Sequence, residues 1–370
     1  MRTPRLVLLL SLLLAAPLAW AEDDAEVDPS GRFFRQYDAD GDERLSRAEW
    51  PAFLEPYFAE VDTNGDGFVD RREDRRYRTR AAKRAPRLAQ PTHANLRYGP
   101  HERNVVDLWL APSEAPTPLV VYFHGGGFRA GDKRSLNPDL LKRLLAGGVS
   151  VAAANYRLTD TAPFPAPMHD AARAVQYLRH HAELHGIDPT RFGATGGSAG
   201  AGISLWLAFH DDLADPQAED PILHESTRLT CTVVYGGQST YDPRVIRELF
   251  DTTKLHPALL PFYGMESADD VEDPRFFPLY AEASPITHLT ADDPPVYLFY
   301  PQANQPLPPD SSGQQHIHHP TFGFHLNERA QALGVSCTLR LREDVQSRAP
   351  TAEFATFFLQ KLGVTPATTR

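Results

Sequence analysis

Thr195-Gly196-Gly197-Ser198-Ala199-Gly200-Ala201-Gly202-Ile203-Ser204-Leu205 is the stretch whose reading decides the fold. Residues 192–197 read as a short strand and residues 199–209 as an apolar helix, which leaves Ser198 at the junction. Gly196 and Gly200, two residues to either side, let strand and helix approach closely while a sharp turn exposes the hydroxyl. Upstream, the apolar run 119–123 leads straight into His124-Gly125-Gly126-Gly127. The backbone N–H groups of Gly126 and Gly127, with that of Ala199, are suited to hold a developing oxyanion. A glycine triplet alone is as well explained by a turn. The pairing of the two motifs, each after an apolar strand, is what points to a nucleophile and its oxyanion site.

The alternation continues outward. Residues 105–110, 149–156, 229–235, 296–300 and 337–341 read as further strands, and 352–362 as a final helix. Residues 170–181 have helical spacing, with Ala171, Ala174, Val175 and Leu178 on one face. This pattern predicts an α/β fold over residues 96–366, a mainly parallel sheet with helices on both faces. Residues 243–290, rich in proline and aromatics, read as an excursion that caps a pocket.

Several short segments add to the two motifs: Asn104-Val105-Val106-Asp107-Leu108, Asn155-Tyr156-Arg157-Leu158, Phe164-Pro165-Ala166-Pro167 and Gly186-Ile187-Asp188-Pro189. Over residues 97–210 the chain resembles the α/β-hydrolase superfamily, in particular the carboxylesterases of the hormone-sensitive-lipase and feruloyl-esterase-like group. The resemblance implies hydrolysis of an ester through an acyl-enzyme at Ser198, with no cofactor for that chemistry. It also implies an aspartate after the penultimate strand and a histidine after the last. Here Asn304 stands about where the acid belongs, the last strand is followed by Arg342-Glu343-Asp344-Val345, and no histidine follows His325.

A serine hydroxyl needs a base within reach, and the base needs an orienting partner. The loop expected to hold the acid contains His316-Ile317-His318-His319, at the serine's end of the sheet. His318 or His319 is the expected base. Asp242 and Asp344 are the expected choices of acid, with Asp310 behind them. Triads are defined by geometry rather than order, so such a rearrangement is allowed. Two alternatives stand beside it: a solvated loop whose histidines do nothing, and a metal site built on His316 and His318, for which no carboxylate has clear ligand spacing. A rival of another class is a silenced hydrolase fold serving as a calcium-stabilised binding module.

Ahead of this domain lies a repeat. Phe34-x-x-Tyr37-Asp38 recurs as Phe58-x-x-Val61-Asp62, and each copy opens a twelve-residue loop. The second loop offers Asp62, Asn64, Asp66, the Phe68 carbonyl, Asp70 and a bidentate Glu73, with Gly67 at the sharp turn. The first offers Asp38, Asp40, Asp42, the Arg44 carbonyl, Ser46 and Glu49, with Glu43 in the glycine position. Both loops resemble EF-hands, and the ion implied is Ca2+. A non-glycine residue at the turn costs roughly 1 kcal/mol, so weaker binding is expected in the first loop. The plain alternative is an acidic surface turn. The shared segment 48–60, with Pro51 and Pro56, leaves little room for sensor-like opening. A structural role, or a calcium-dependent docking partner, is expected instead. The whole layout, an EF-hand pair ahead of a hydrolase, is similar to exported esterases of environmental bacteria.

Residues 1–21 read as a signal peptide: Arg2 and Arg5, a short apolar core, then Ala19-Trp20-Ala21. Its apolar run is too short for a membrane span, and no later stretch is long enough. The expected order is thus leader, EF-hand pair at 22–78, basic linker at 79–95, and hydrolase, with the basic stretch 71–87 read as a solvated linker helix. A net charge of -11 argues against nucleic acid as a partner. The expected substrate is a small ester or an acylated polysaccharide, in a secreted or periplasmic setting. Cys231 and Cys337 fall on strands expected to be separated by a third, beyond disulfide reach, and are read as free thiols.

Overall fold

The computed structural model describes Phe34, Asp38 and residues 40–50, 57–84, 88–308, 311–345 and 350–364. The expected leader, Tyr37, Pro51, Pro56 and Asp310 lie outside them. The chain divides into two units, Met1–Arg87 and Leu88–Arg370.

In the first unit, β1 (Arg44–Ser46) and β2 (Phe68–Asp70) flank a short helix, α1 (Phe58–Val61), and α2 (Arg71–Arg84) comes directly after β2. The strands pair antiparallel with Leu45 opposite Val69. Those two side chains are fully buried with Phe34, Trp50, Phe58 and Val61 in a core of their own. An apolar residue at the eighth position of each loop thus ties the two loops together. The basic stretch 71–87 expected as a helix holds α2, whose first turn carries the buried acids Glu73 and Asp74, while the segment 79–95 expected as the linker takes in the end of α2 and the start of the strand at His93–Arg97.

The second unit is built on strands β3 (His93–Arg97), β4 (Val105–Trp109), β5 (Thr117–Phe123), β6 (Ser150–Ala154), β7 (Ile187–Gly197), β8 (Cys231–Tyr235), β9 (Val296–Tyr300) and β10 (Cys337–Leu341). They form one eight-stranded sheet in the order β10-β9-β8-β7-β5-β6-β4-β3. β4 runs antiparallel to β3 and β6; every other pairing is parallel. The helices are α3 (Pro138–Ala146), α4 (Ala166–His180), α5 (Ala199–Phe209), α6 (Pro243–Phe250), α7 (Leu259–Tyr263), α8 (Phe277–Ala283), α9 (Pro285–His288), α10 (Gly313–His316), α11 (Thr321–Leu333) and α12 (Thr351–Lys361).

Strand β5 shows why both faces are covered. Leu119, Val121 and Phe123 point into the core formed with α4 and α5, whereas Val120 and Tyr122 point into the core formed with α3 and α12. All of its residues are buried, as a central parallel strand requires. Residues 243–290 are helical rather than an open loop, holding α6 to α9. Polar braces lock the segments that flank the sheet. Lys133 Nζ meets Asp107 at 2.9 Å with both side chains nearly buried, and Asn155 Oδ1 accepts from the Lys133 N–H at 2.6 Å. Arg157 grips Asp170 through two bonds of 2.6 and 2.8 Å. β9 separates β8 from β10, and Cys231 and Cys337 are both free.

Candidate active site

The elbow is built by crowding. Ser198 has φ 53° and ψ -122°, a conformation that costs on the order of 1–3 kcal/mol. A Cβ on Gly196 would stand 2.5 Å from the Gly200 carbonyl carbon, and one on Gly200 would run into the Phe123 carbonyl. Only glycine lets β7, β5 and α5 meet there. The Ser198 N–H donates to the Tyr235 carbonyl at 3.1 Å, which fastens the turn to the end of β8.

The glycine loop after β5 turns through φ 113° at Gly126 and 61° at Gly127. The Gly126, Gly127 and Ala199 N–H groups meet no backbone acceptor among the described residues. His124 braces this loop from beneath. Its ring is wholly buried and lies on Tyr156, centroids 4.2 Å apart. Nδ1 faces the Gly125 carbonyl at 2.8 Å, so that nitrogen carries the hydrogen, and Nε2 accepts from Arg103 at 3.2 Å. Burial, helped by the Arg103 charge, pushes the His124 pKa down to about 4. Tyr156 Oη donates to the His124 carbonyl at 2.7 Å and Arg103 donates to the Gly131 carbonyl at 2.7 Å, closing the brace.

The structure brings His318 to the serine: Nε2 lies 2.9 Å from Ser198 Oγ. His318 sits between α10 and α11, downstream of β9, where the resemblance would have placed the acid. Its neighbours are occupied elsewhere. His316 Nε2 bonds Ser311 Oγ at 2.8 Å and its ring stacks on Phe250 at 4.8 Å. His319 Nε2 donates to the Gln305 carbonyl at 2.9 Å, Nδ1 bonds Thr321 Oγ1 at 2.8 Å, and the ring stands edge-on to Phe250. These two histidines fix the loop and leave His318 as the one turned to the nucleophile. Gln238 secures it further, donating to the Ile317 carbonyl at 2.5 Å and the Gly236 carbonyl at 3.0 Å. Enclosure of the ring, and then the neighbouring His256, push the His318 pKa down to about 4. A neutral imidazole is therefore ready at neutral pH to accept the serine proton.

Asp242 and Asp344 are not brought to this base. Asp242 caps α6, accepting the Arg244 N–H at 2.9 Å and the Arg244 guanidinium at 2.7 and 3.0 Å. Asp344 accepts the Leu341 N–H at 2.8 Å, and the Asn304 N–H donates to Glu343 at 3.0 Å. Among the described residues no carboxylate hydrogen-bonds His318. The pair is thus a serine–histidine dyad within the described residues.

Sequence reading missed His256, Gln238 and Phe250. His256 accepts the Ala258 N–H at 3.2 Å through Nδ1 and donates to Gln314 Oε1 at 2.7 Å through Nε2, tying the 243–290 excursion to the histidine loop. Ala258 Cβ stands 3.3 Å from where a Cβ on Gly127 would lie, so the excursion also covers the oxyanion loop. A depression lined by Leu110, Thr117, Arg191 and Val364 lies at the opposite, N-terminal end of β5 and is unrelated to this chemistry.

In the N-terminal unit the two acidic loops fold around their own first residues. Asp38 accepts from the Gly41 and Glu43 N–H groups at 2.8 and 3.0 Å, and Asp62 accepts likewise from Gly65 and Gly67 at 2.7 and 3.0 Å. Glu43 has φ 63° where Gly67 has 85°, the strained turn expected of the first loop. Carboxylate oxygens of Asp38, Asp40 and Asp42 lie within 4.8 Å of one another. Glu73 and Glu49 reach back over their loops to Asp70 and Ser46 N–H groups at 3.2 and 2.9 Å. This all-oxygen donor set fits a hard cation. His316 and His318 are not part of any three-residue ligand cluster among the described residues.

A mainly parallel sheet with a serine elbow after β7, a glycine loop after β5 and an imidazole carried past β9 is the arrangement of an α/β-hydrolase fold. The chain belongs to the BD-FAE family, whose match covers residues 106–317, more than half of its length. Residues 54–73 match the EF hand family. The probable carboxylic ester hydrolase LipM of Mycobacterium tuberculosis is 28% identical over 224 residues, 58% of this chain and 48% of that protein. The ethyl acetate hydrolase of Pseudomonas putida is 27% identical over 206 residues, 52% of this chain and 61% of that protein. Among solved structures, the acetyl ester-xyloside bifunctional hydrolase of Caldicellulosiruptor lactoaceticus superposes with a TM-score of 0.57 at 19% identity, covering 74% of this chain and 97% of that one. The chain spans about half the length of LipM and of the mycobacterial esterase LipQ, 48% and 49%. No helix among the described residues is long and apolar enough to cross a membrane.

Proposed function

We propose that the protein hydrolyses carboxylic esters through an acyl-enzyme on Ser198. The observation that carries this is the 2.9 Å contact between a neutral His318 and the strained Ser198 hydroxyl. Ser198 Oγ attacks the ester carbonyl carbon as its proton passes to His318 Nε2, and the carbonyl oxygen gains its charge against the N–H groups of Gly126, Gly127 and Ala199. Collapse expels the alcohol, which takes the proton back from Nε2. Water then repeats the sequence on the acyl-serine and releases the acid. The family match and the ester-hydrolase relatives support this reading. Short acyl groups on small alcohols or on polysaccharides are the substrate class proposed.

Treatment with a fluorophosphonate probe and a short-chain aryl ester tests it. Labelling and turnover should both vanish in Ser198→Ala. An unmodified wild-type protein with turnover no higher than that variant would sink the proposal. It would favour the second reading, a silenced binding module, for which the lack of a carboxylate bonded to His318 among the described residues speaks.

The N-terminal unit is proposed to bind Ca2+ through Asp62, Asn64, Asp66, Phe68, Asp70 and Glu73, and more weakly through Asp38, Asp40, Asp42, Arg44, Ser46 and Glu49. Calcium there stabilises the unit or docks a partner. Export through a cleavable leader of residues 1–21 would place it where calcium is plentiful, which fractionation of expressing cells checks.

A further inference from the structure

Beyond the far end of the helix that starts at Ala199, two histidines and a glutamate converge. A ring nitrogen of His210, one of His288 and a carboxylate oxygen of Glu282 lie within 4.8 Å of one another, all three residues partly exposed. They come from separate elements: His210 directly after α5, Glu282 from α8 and His288 from the end of α9.

The backbone sets both tautomers. His210 Nδ1 faces the Asp211 carbonyl at 2.9 Å, and His288 Nε2 faces the Glu282 carbonyl at 2.8 Å. A carbonyl only accepts, so those nitrogens carry the hydrogens. In the neutral rings the lone pairs then belong to Nε2 of His210 and Nδ1 of His288. His210 Nε2 stands 3.0 Å from Glu282 Oε1. Two acceptors face each other there unless something positive lies between them. Histidines whose second N–H is held by a carbonyl are the usual arrangement around a metal, because that bond fixes the ring and leaves the other nitrogen free to ligate.

The surroundings are rigid. Trp206 Nε1 donates to the same Glu282 carbonyl at 2.8 Å, and its ring lies 4.2 Å from that of His210 and 6.3 Å from that of His288. The two imidazoles are 4.5 Å apart. His169 on α4 is close enough for Glu282 and His210 to influence its protonation.

We propose that His210, Glu282 and His288 bind a divalent transition-metal cation of the Zn2+ or Cu2+ type, with water filling the remaining positions. Two imidazoles and a carboxylate suit such ions, whereas Ca2+ and Mg2+ demand oxygen. The α5 helix sets the site roughly 16 Å from Ser198 at ~1.5 Å per residue. It clamps α5 to α8 and α9 and takes no part in ester cleavage.

The test is titration of the full-length protein with CuCl2 in saturating Ca2+, which keeps the acidic loops filled. Intrinsic tryptophan fluorescence, to which Trp206 beside the site contributes, and the nitrogen couplings of the Cu2+ EPR spectrum are the readouts. Saturable quenching near one equivalent, nitrogen coupling, and relief of quenching by ZnCl2 are expected. His210→Gln and His288→Gln should each weaken binding ~10–100-fold. Quenching absent up to millimolar Cu2+ would leave only a proton-bridged ion pair and overturn the site. Quenching that persists in the His210→Gln/His288→Gln double variant would overturn it too, assigning the ion to other histidines. Should the histidine variants fail to fold, Glu282→Gln decides. An unchanged affinity there sinks the proposal, and a weakened one with normal thermal unfolding supports it.

Discussion

A neutral imidazole beside a strained serine fixes how the site responds to acid. His318 has its pKa lowered to about 4, so it can accept a proton above that pH and not below it. The kcat/KM of aryl-ester cleavage should therefore stay level from pH 7 to about 5 and fall along a single limb centred near 4. A limb near 6.5 would show that the free enzyme does not hold this ring neutral. His318→Gln keeps the volume but removes the base, and should lower kcat by ~10²–10⁴ while KM moves little. His124 responds to pH through stability instead. Its folded pKa of about 4 lies below the ordinary 6.5, so the unfolded chain binds the extra proton. The stabilisation is complete above pH 6.5 and is lost as pH falls through 4, roughly 3 kcal/mol in all. The difference between urea midpoints at pH 7 and pH 4.5 should be smaller in His124→Gln than in the wild type, the remainder coming from His318 and the other buried histidines.

At the scale of elements, legibility tracks how local the signal is. The bounds of α5, β9 and β10 coincide with those read from the sequence; Pro295 and Pro301 flank β9, and Arg342 follows β10. The elbow and glycine loop are readable for the same reason: Gly196 and Gly200 are demanded by contacts between adjoining segments. Which histidine faces Ser198 is not readable. The choice is made by Phe250 of α6, far away in sequence, which stacks on His316 and meets His319 edge-on. Helix α11 escapes a sequence reading although Phe322, Leu326 and Ala330 recur at helical spacing and are buried. Its start carries no capping side chain, with Pro320 in the cap position, so nothing local marks where the histidine loop ends. Two expectations about variants belong here. Gln238→Ala removes the donor to the Ile317 carbonyl, and should cut kcat about tenfold with the pH limb broadened. Gly200→Ala drives a methyl group into the Phe123 carbonyl, and should cost more than ~3 kcal/mol by thermal unfolding.

Across the whole molecule, the order of functions along the chain is legible from two sequence textures, an acidic repeat and an alternation of strands and helices. The direction of β4 against β3 and β6 is not, because nothing local marks it, whereas β9 between β8 and β10 is as expected for the two cysteine-bearing strands. Calcium should raise the unfolding temperature of the N-terminal unit, and Glu73→Gln should abolish most of that rise. Differential scanning calorimetry with and without EGTA reads both, and an unchanged trace would count against the ion. The position of His318 has a further consequence for how the polypeptide can be divided. Nucleophile, oxyanion loop and base all precede β10, so a cut between Val345 and Pro350 leaves every reacting group on one fragment. The remaining piece, which carries α12, packs against α3 and the sheet through Phe354 and Phe358 and holds none of those groups. Supplied as a separate peptide, it should restore activity by complementation, making this hydrolase a natural split reporter.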